Sequence, residues 1–223
     1  MDIQEAIRTR HSVRSYTDRP LDPDSVAALQ AEIDAVNAEG GLSIRLVAGE
    51  DRAFTGLMSR LGGARWNVRN YLVLAGPESD DLEERVGYCG ERVVLRAKTL
   101  GIDSCWVALT FRKGEARRAV GAGDKLVCVV ALGYAAAPGA PHKSRPLSEV
   151  CRADGPLPDW FERGMEAALL APTALNQQKF LFTLVGENRV RAEAQKGSYT
   201  QVDLGIAKYH FEVGAGKDSF RWA

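Results

Sequence analysis

The residues best suited to chemistry form one short run near the start of the chain, Arg10-His11-Ser12-Val13-Arg14. Guanidinium groups present forked donors that match phosphate oxygens, and a nearby hydroxyl can donate to a remaining oxygen. If the run is extended, its side chains alternate, so Arg10, Ser12 and Arg14 point to the same side. Charge alone would favour a solvated basic surface, but the arrangement of the run and its context indicate an anion site.

A second basic cluster, PHKSRPLSEV at residues 141–150, adds Lys143 and Arg145. Taken by themselves, these two residues are best explained as part of a solvated loop. The three histidines and four cysteines are widely spaced, and no CxxC pair occurs. Because a metal site needs clustered ligands, the sequence implies no metal.

The composition is that of an ordinary globular chain, long enough for one domain or for two small halves that pack together. Lys plus Arg and Asp plus Glu both number 29 among 223 residues, so the formal net charge is zero. Nucleic-acid and anionic-membrane partners are not expected, because they require a basic excess. We find no apolar run of the roughly 20 residues that a membrane helix needs and no signal peptide, and therefore expect a cytoplasmic protein with reduced thiols.

Hydrophobic periodicity predicts helices and strands along the whole chain. Helices are predicted at residues 2–9, 25–38, 80–100, 113–120, 159–170 and 202–215. Strands are predicted at residues 43–48, 71–75, 103–109, 126–134 and 180–185. The strand at 71–75 is almost entirely apolar and is therefore expected at the centre of a sheet. The segment RLGGARWN, residues 60–67, is expected to be a glycine-rich connection.

The chain also contains a faint internal repeat. The paired segments are LVLAGPE (72–78) with FTLVGEN (182–188), and VGYCGERVVLRA (86–97) with LGIAKYHFEVGA (204–215). The second pair aligns Gly87 with Gly205. Chance or shared constraints on helix packing would explain such matches, whereas a true duplication would make a pseudo-two-fold chain that imitates a dimer.

Four segments resemble the flavin-dependent nitroreductases. RHSVRSYTDRPL resembles the family's phosphate-clamping opening R-[RH]-S-x-[RK], and LGIDSCWVALTF resembles its LG-x-x-x-x-W stretch along the flavin. ALGYAAAPGAPHKSRPLSEV resembles the closing G-Y-P…K-x-R-x-P-L segment, and ALLAPTALNQQKF resembles A-P-S-x-x-N-x-Q-P-W. Here the last segment follows the closing one, an order that resembles the internally duplicated subgroup. Thr173, Lys179 and Phe180 stand where the family has Ser, Pro and Trp.

The resemblance implies a cofactor site and no catalytic side chain. Its residues would be Arg10, His11, Ser12, Arg14, Trp106, Val107, Ala108, Leu109, Lys143, Arg145, Pro172, Thr173, Asn176 and Gln178. Arg10, Ser12 and the Lys143–Arg145 pair would hold a phosphate. Arg14 would face the pyrimidine edge of the flavin or pair with an acidic side chain. Asn176 and Gln178 would bind the ring or ribityl hydroxyls, or form a local turn.

The fold expected from the resemblance is an α+β nitroreductase-like mixed sheet flanked by helices, in a pseudo-two-fold chain. Residues 1–155 would form the first half with the phosphate clamp, and residues 156–223 would complete the flavin site. The function expected is an FMN-dependent oxidoreductase that uses NAD(P)H to reduce nitroaromatic, quinone or similar electrophilic substrates. It would act as a monomer that mimics a dimer, or as a homodimer. The alternatives are a flavin-binding or sequestering protein without turnover, and a flavin-free domain with remnant motifs.

Overall fold

Two four-stranded sheets and two long crossing helices frame the molecule in the computed structural model, which describes residues 1–55 and 67–223. The helices are α1 (Ile3–Thr9), α2 (Pro23–Gly40), α3 (Leu82–Thr99), α4 (Lys113–Ala116), α5 (Leu147–Val150), α6 (Asp159–Ala168) and α7 (Thr200–Ala215). The strands are β1 (Arg45–Ala48), β2 (Asn70–Pro77), β3 (Asp103–Val107), β4 (Asp124–Gly133), β5 (Cys151–Arg152), β6 (Phe180–Val185), β7 (Arg189–Ala194) and β8 (Arg221–Trp222). The predicted connection at 60–67 lies, apart from Asn67, outside the described residues.

The first sheet has the strand order β1-β2-β4-β3 and is antiparallel throughout. As its apolar sequence predicts, β2 lies between two other strands and is buried along almost its whole length. One face of the sheet packs on α2 and α3 through residues such as Ile33 and Val93. The other face packs on the segment after α1 through Val13 and Tyr16. Both faces are therefore covered, and the basic run is held against the sheet.

The second sheet has the order β5-β6-β7-β8 and is mixed, because β6 and β7 are antiparallel while both outer pairs are parallel. It packs on α6 and α7 around an aromatic core that includes Phe161, Phe182 and Phe211. The fold class is thus α+β, as expected, with its strands divided between two sheets. Among the described residues, no helix is both long and apolar enough to cross a bilayer.

The two halves meet where α3 crosses α7 at a pair of glycines. A Cβ atom at Gly87 would overlap the carbonyl of Val202, and one at Gly205 would overlap the carbonyl of Glu84. Each glycine thus faces the residue three positions before the other glycine. Because no side chain separates the helices here, their backbones approach closely, and only glycine fits at either position.

These contacts bear on the internal repeat. The two glycines that the repeat aligns occupy equivalent places at the helix crossing. The two matches have different offsets: without a gap, the spacing between the glycines places the equivalent of β2 at residues 188–195, which overlaps β7, whereas the predicted strand match is with β6. In the first half β2 precedes α3 and pairs antiparallel with β1, and in the second half β7 precedes α7 and pairs antiparallel with β6. A duplication of the chain remains a prediction.

Candidate functional site

The first helix delivers Arg10 to the interior of the molecule. Asp2 is the N-cap of α1, and its carboxylate accepts a hydrogen bond from the backbone N–H of Glu5 at 2.8 Å. Ala6 and Ile7 form the buried face of the helix. The helix ends at Arg10, whose backbone turns to an extended conformation. The Arg10 side chain is therefore directed inward, and the residue is only 4% exposed.

Arg10 lies beside a buried carboxylate that contacts side chains from three parts of the chain. Glu91 on α3 is fully buried, and its Oε1 lies 3.7 Å from Arg10 Nε. The same oxygen lies 2.9 Å from His210 Nε2 on α7, and Oε2 accepts the indole N–H of Trp106 at 2.8 Å. His210 Nδ1 lies 3.0 Å from the carbonyl oxygen of Ala167. This network links elements of both halves.

The guanidinium of Arg10 nevertheless keeps unused donors. Within the described ranges, its Nε and Nη1 atoms are buried and have no hydrogen-bond partner. The contact with Glu91 is an ion pair, too long for a hydrogen bond. Buried donors are rarely left unpaired in folded proteins, and when they are, a missing ligand is one of the usual reasons. The orphaned donors therefore fit the phosphate that the basic run was expected to bind.

The other two histidines also lie near Arg10. His142 and His11 each have one buried ring nitrogen with no partner in the part of the chain that the structure describes, Nε2 and Nδ1 respectively. Burial lowers the pKa of His142, and the charges of Arg10, His210 and His11 lower it further. The described residues contain no cluster of ligands suited to a metal ion. The sequence did not predict that the histidines lie close to Arg10. Its only local signal is that His11 and His142 each adjoin a basic residue.

Arg10, Ser12 and Arg14 differ in exposure: Arg10 is buried, Ser12 is half-buried and Arg14 is exposed. All three lower the pKa of the buried Cys105 thiol of β3. Burial nevertheless raises the pKa of that thiol, which favours a buried packing residue over a nucleophile. Arg14 is exposed and has no ion-pair partner in the described residues, which leaves its guanidinium available to a ligand.

Residues 139–145, the middle of the closing segment, lie between the basic run and the second half. Gly139 lies against His11 and Ser12 so closely that a Cβ atom would not fit. At the other end, Lys143 carbonyl oxygen accepts from Asn176 Nδ2 at 2.8 Å and from Gln178 Nε2 at 2.7 Å. The side-chain amides that were expected to bind the flavin thus position the closing segment.

The cationic side chains of this segment face outward. Gln178 Oε1 accepts the backbone N–H of Arg145 at 2.9 Å, while the Arg145 guanidinium pairs with Glu149 at 2.6 Å. Lys143 is exposed, and within the described residues its ammonium has no ion-pair partner. The structure therefore brings the backbones of the clamp segments together, while the Lys143 and Arg145 side chains remain accessible to an anion.

The turn that carries Asn176 and Gln178 is strained. Leu175, Asn176 and Gln178 have φ values of 52°, 54° and 44°, in the left-handed region that non-glycine residues rarely adopt. Thr173 Oγ1 accepts from the Gln178 amide at 3.0 Å, as part of a local turn that the sequence had left as one interpretation. Such strain persists only where the surroundings enforce it, and it clusters at functional sites.

Asp203 on α7 is one of the groups that enforce this turn. Its nearly buried carboxylate accepts from the Ala174 amide at 2.9 Å and from Gln177 Nε2 at 2.7 Å. Burial raises the pKa of Asp203 to about 6, although both hydrogen bonds lower it. Pro172, the first residue of the segment, is buried.

The stretch from Trp106 to Leu109 passes from the core to the surface. Trp106 contributes its N–H to Glu91 and packs in the core, while Val107 is buried and Leu109 is 63% exposed. A cavity of about 310 Å³ opens beside the basic run. It is lined by His11, Val13, Lys98, Asp103 and residues 135–139.

The α+β fold thus surrounds a buried guanidinium whose Nε and Nη1 have no hydrogen-bond partner among the described residues. The family model described as "Putative TM nitroreductase" matches residues 2–215, and the chain belongs to this nitroreductase family. Membership makes it a flavin-dependent oxidoreductase in general terms. The resemblance noted in the sequence is therefore confirmed at the level of the family.

Solved structures share the fold. A Thermotoga maritima protein described as a "putative nitroreductase" matches 98% of this chain and 85% of its own, with 22% identity and a TM-score of 0.64. A Desulfovibrio desulfuricans nitroreductase in complex with FMN matches 67% of this chain and 94% of its own, with 19% identity and a TM-score of 0.52. Nitroreductase A from Vibrio parahaemolyticus matches 66% and 74%, with 16% identity and a TM-score of 0.51. A comparison with curated proteins found no match.

Proposed function

We propose that this chain is an FMN-dependent oxidoreductase that takes electrons from NAD(P)H and reduces nitroaromatic, quinone or similar electrophilic compounds. The observation that carries the proposal is the buried Arg10 guanidinium, whose Nε and Nη1 have no hydrogen-bond partner among the described residues. Arg10 belongs to the segment that resembles the phosphate clamp of the nitroreductase family, to which this chain belongs. The FMN complex of the Desulfovibrio protein supports the choice of cofactor.

Several residues of the chain would hold the phosphate. Its charge needs charge-assisted donors, each contributing on the order of 1.5–3 kcal/mol. Arg10 supplies two free donors from one side, and the accessible Lys143 and Arg145 supply charge from the closing segment. Asn176 and Gln178 fix the backbone of that segment, so they would act by placing the two cations.

The remaining residues would orient the ring and tune it. Bound FMN supplies the hydride chemistry between NAD(P)H and the electron acceptor. Arg14 is exposed and unpaired within the described residues, so its charge suits the pyrimidine edge, where a cation favours the reduced flavin. The backbone from Trp106 to Leu109 runs outward from the core and would form one wall of the ring site. No side chain is required as a general acid in this scheme.

We further propose that one chain completes the site by itself. The hydrogen bonds from Asn176 and Gln178 to Lys143 join the second half to the closing segment within a single chain. Tethering raises the effective concentration of the two halves to about the millimolar range, so binding should survive dilution. Co-expression of an Arg10→Ala/Arg145→Ala chain with an Asn176→Ala/Gln178→Ala chain tests this. Recovery of a full-affinity site in the mixture, when neither chain binds alone, would show that the halves combine between chains.

The visible spectrum tests the function. The purified or FMN-reconstituted protein should be yellow, and heat extraction should release FMN rather than FAD. Anaerobic NADH or NADPH should bleach the flavin, and a quinone or nitroaromatic compound should restore its colour. A colourless protein that does not take up FMN would refute a flavoprotein. Bound FMN that neither nucleotide reduces would instead favour a flavin-binding protein without turnover.

A further inference from the structure

We infer that Glu91 and His210 share one proton, and that this proton keeps the charge of Arg10 available to an anionic cofactor. Both residues would be positioning residues that act through Arg10. The consequence for cofactor binding rests on the proposed function, whereas the shared proton rests on geometry alone.

The ring of His210 is fully buried between two oxygen atoms. Nδ1 lies 3.0 Å from the Ala167 carbonyl oxygen, which can only accept, so Nδ1 must carry a proton. Nε2 lies 2.9 Å from Glu91 Oε1. Without a proton between them, a nitrogen lone pair would face a carboxylate oxygen at hydrogen-bond distance. The contact therefore holds one proton, either on an imidazolium or on a protonated carboxyl group.

Both placements of the proton give the same local charge. A His210 imidazolium cancels the Glu91 carboxylate, and a neutral His210 beside a protonated Glu91 is also uncharged. Trp106, the third donor to Glu91, is neutral. The four-residue network then carries the single positive charge of Arg10. Loss of the shared proton would make the network neutral and leave a carboxylate 3.7 Å from Arg10 Nε.

This difference matters because Arg10 is 4% exposed. Charges interact strongly at such short range where water is excluded. An uncompensated Glu91 carboxylate would oppose the approach of a phosphate and would compete for the guanidinium. His142 and His11 also lie close to Arg10, and they are unchanged in every variant below. His210 is thus placed to neutralise Glu91 without contacting the cofactor.

The test compares FMN with riboflavin, which lacks the phosphate, in fluorescence titrations of the flavin-free protein. His210→Gln can donate to Glu91 but cannot bring charge, so FMN binding should weaken by about tenfold or more while riboflavin binding changes little. Glu91→Gln/His210→Gln restores the single positive charge, and its FMN affinity should return to within a few-fold of wild type. Riboflavin binding and cooperative unfolding serve as controls for correct folding.

A purely structural role for the pair predicts a different pattern. His210→Gln would then weaken FMN and riboflavin equally, and the double variant would be worse than the single one; either result overturns the effect on Arg10. A long-range ¹H–¹⁵N spectrum of the ligand-free protein tests the proton independently of any cofactor. A His210 ring without a proton on Nδ1 would overturn the shared proton. Failure of the wild-type protein to bind FMN would refute the proposed function. The ¹H–¹⁵N spectrum would then still decide whether Glu91 and His210 share a proton.

Discussion

Two buried carboxylates near the candidate site differ in how their charge is compensated. Glu91 lies beside Arg10 and His210 and also accepts from Trp106, so it is surrounded by cationic or potentially cationic groups. Among the described residues, Asp203 accepts from the backbone N–H of Ala174 and from the neutral side chain of Gln177. Burial consequently raises the pKa of Asp203 to about 6.

The difference corresponds to two tasks. Glu91 joins α1, α3, β3 and α7, and therefore fixes the first half of the molecule to the second. Asp203 instead holds a short turn in which three residues have left-handed backbone angles. We conclude that Glu91, which joins the two halves, has neighbours that can compensate its charge. The strained turn depends instead on Asp203, whose pKa lies within a biologically accessible range of pH.

The largest expected effect comes from removing the compensated carboxylate. In a buried site, Glu91→Ala would leave Arg10 without its ion-pair partner and would leave His210 and Trp106 without their common hydrogen-bond partner. Removing one partner of a buried ion pair typically costs about 3–5 kcal/mol, so we expect a loss of that size in urea unfolding. Glu91→Gln keeps an acceptor for Trp106 and should lose less. Equal stabilities of wild type and Glu91→Ala would refute the importance of this junction.

Asp203 should make stability depend on pH. Its folded-state pKa of about 6 lies above the ordinary aspartate value of 3.8, so ionising it is harder in the folded protein. Its contribution is therefore fully present below about pH 4 and is lost as the pH rises through 6. The change is on the order of 3 kcal/mol, at 1.36 kcal/mol for each pKa unit.

Asp203→Asn isolates this contribution, because asparagine can accept from Ala174 but does not titrate. The stability of wild type relative to Asp203→Asn should fall between pH 4 and 7, as measured by urea unfolding at several pH values. Asp154→Asn, at an exposed position, is the matched control for loss of one carboxylate. A constant difference between wild type and Asp203→Asn across this range would contradict the prediction.

Both carboxylates depend on the close approach of α3 and α7. Gly205→Ala would place a Cβ atom into the Glu84 carbonyl, and overpacking of this kind typically costs about 1–3 kcal/mol. Gly114→Ala is the matched control, since no atom of the described residues lies within 4 Å of its added Cβ atom. There the substitution should be neutral or stabilising by up to about 1 kcal/mol, because alanine favours helix. Similar unfolding midpoints for the two variants would argue against the glycine contact.

The sequence predicted the frame of the molecule better than the site within it. Apolar residues at helical spacing located α3, and the uninterrupted apolar run located β2 at the centre of its sheet. β7 was not predicted although RVRAEA alternates charged residues with small or apolar ones, which is the pattern of a half-buried strand. The edge strand β8 has only two residues. Short edge strands acquire their structure from pairing, which leaves little local signal.

The site depends on tertiary contacts that no local pattern encodes. The residue types of the basic run were sufficient to predict an anion site, but the burial of Arg10 beside Glu91 could not be predicted from them. The three histidines are far apart in sequence and converge only because α1, α7 and the closing segment meet. Asn176 and Gln178 were predicted to bind the flavin or to form a local turn, and in the structure both donate to the backbone carbonyl of Lys143.

The smallest expected effect distinguishes the two ends of the phosphate clamp. Arg10 belongs to the Glu91 network, whereas Arg145 is carried by the segment that Gln178 holds. Arg10→Ala should weaken FMN by at least about tenfold and also lower stability, because it removes a buried partner of Glu91. Arg145 is half-exposed and pairs only with Glu149 among the described residues, so Arg145→Ala should leave stability within about 1 kcal/mol of wild type. Its FMN affinity should still fall about tenfold, or about 1.4 kcal/mol, with little change in the reduction rate of the saturated protein. Arg163→Ala, on an exposed face of α6, controls for loss of a surface charge. Wild-type FMN affinity in Arg145→Ala would remove the closing segment from the clamp and leave the phosphate to Arg10 alone.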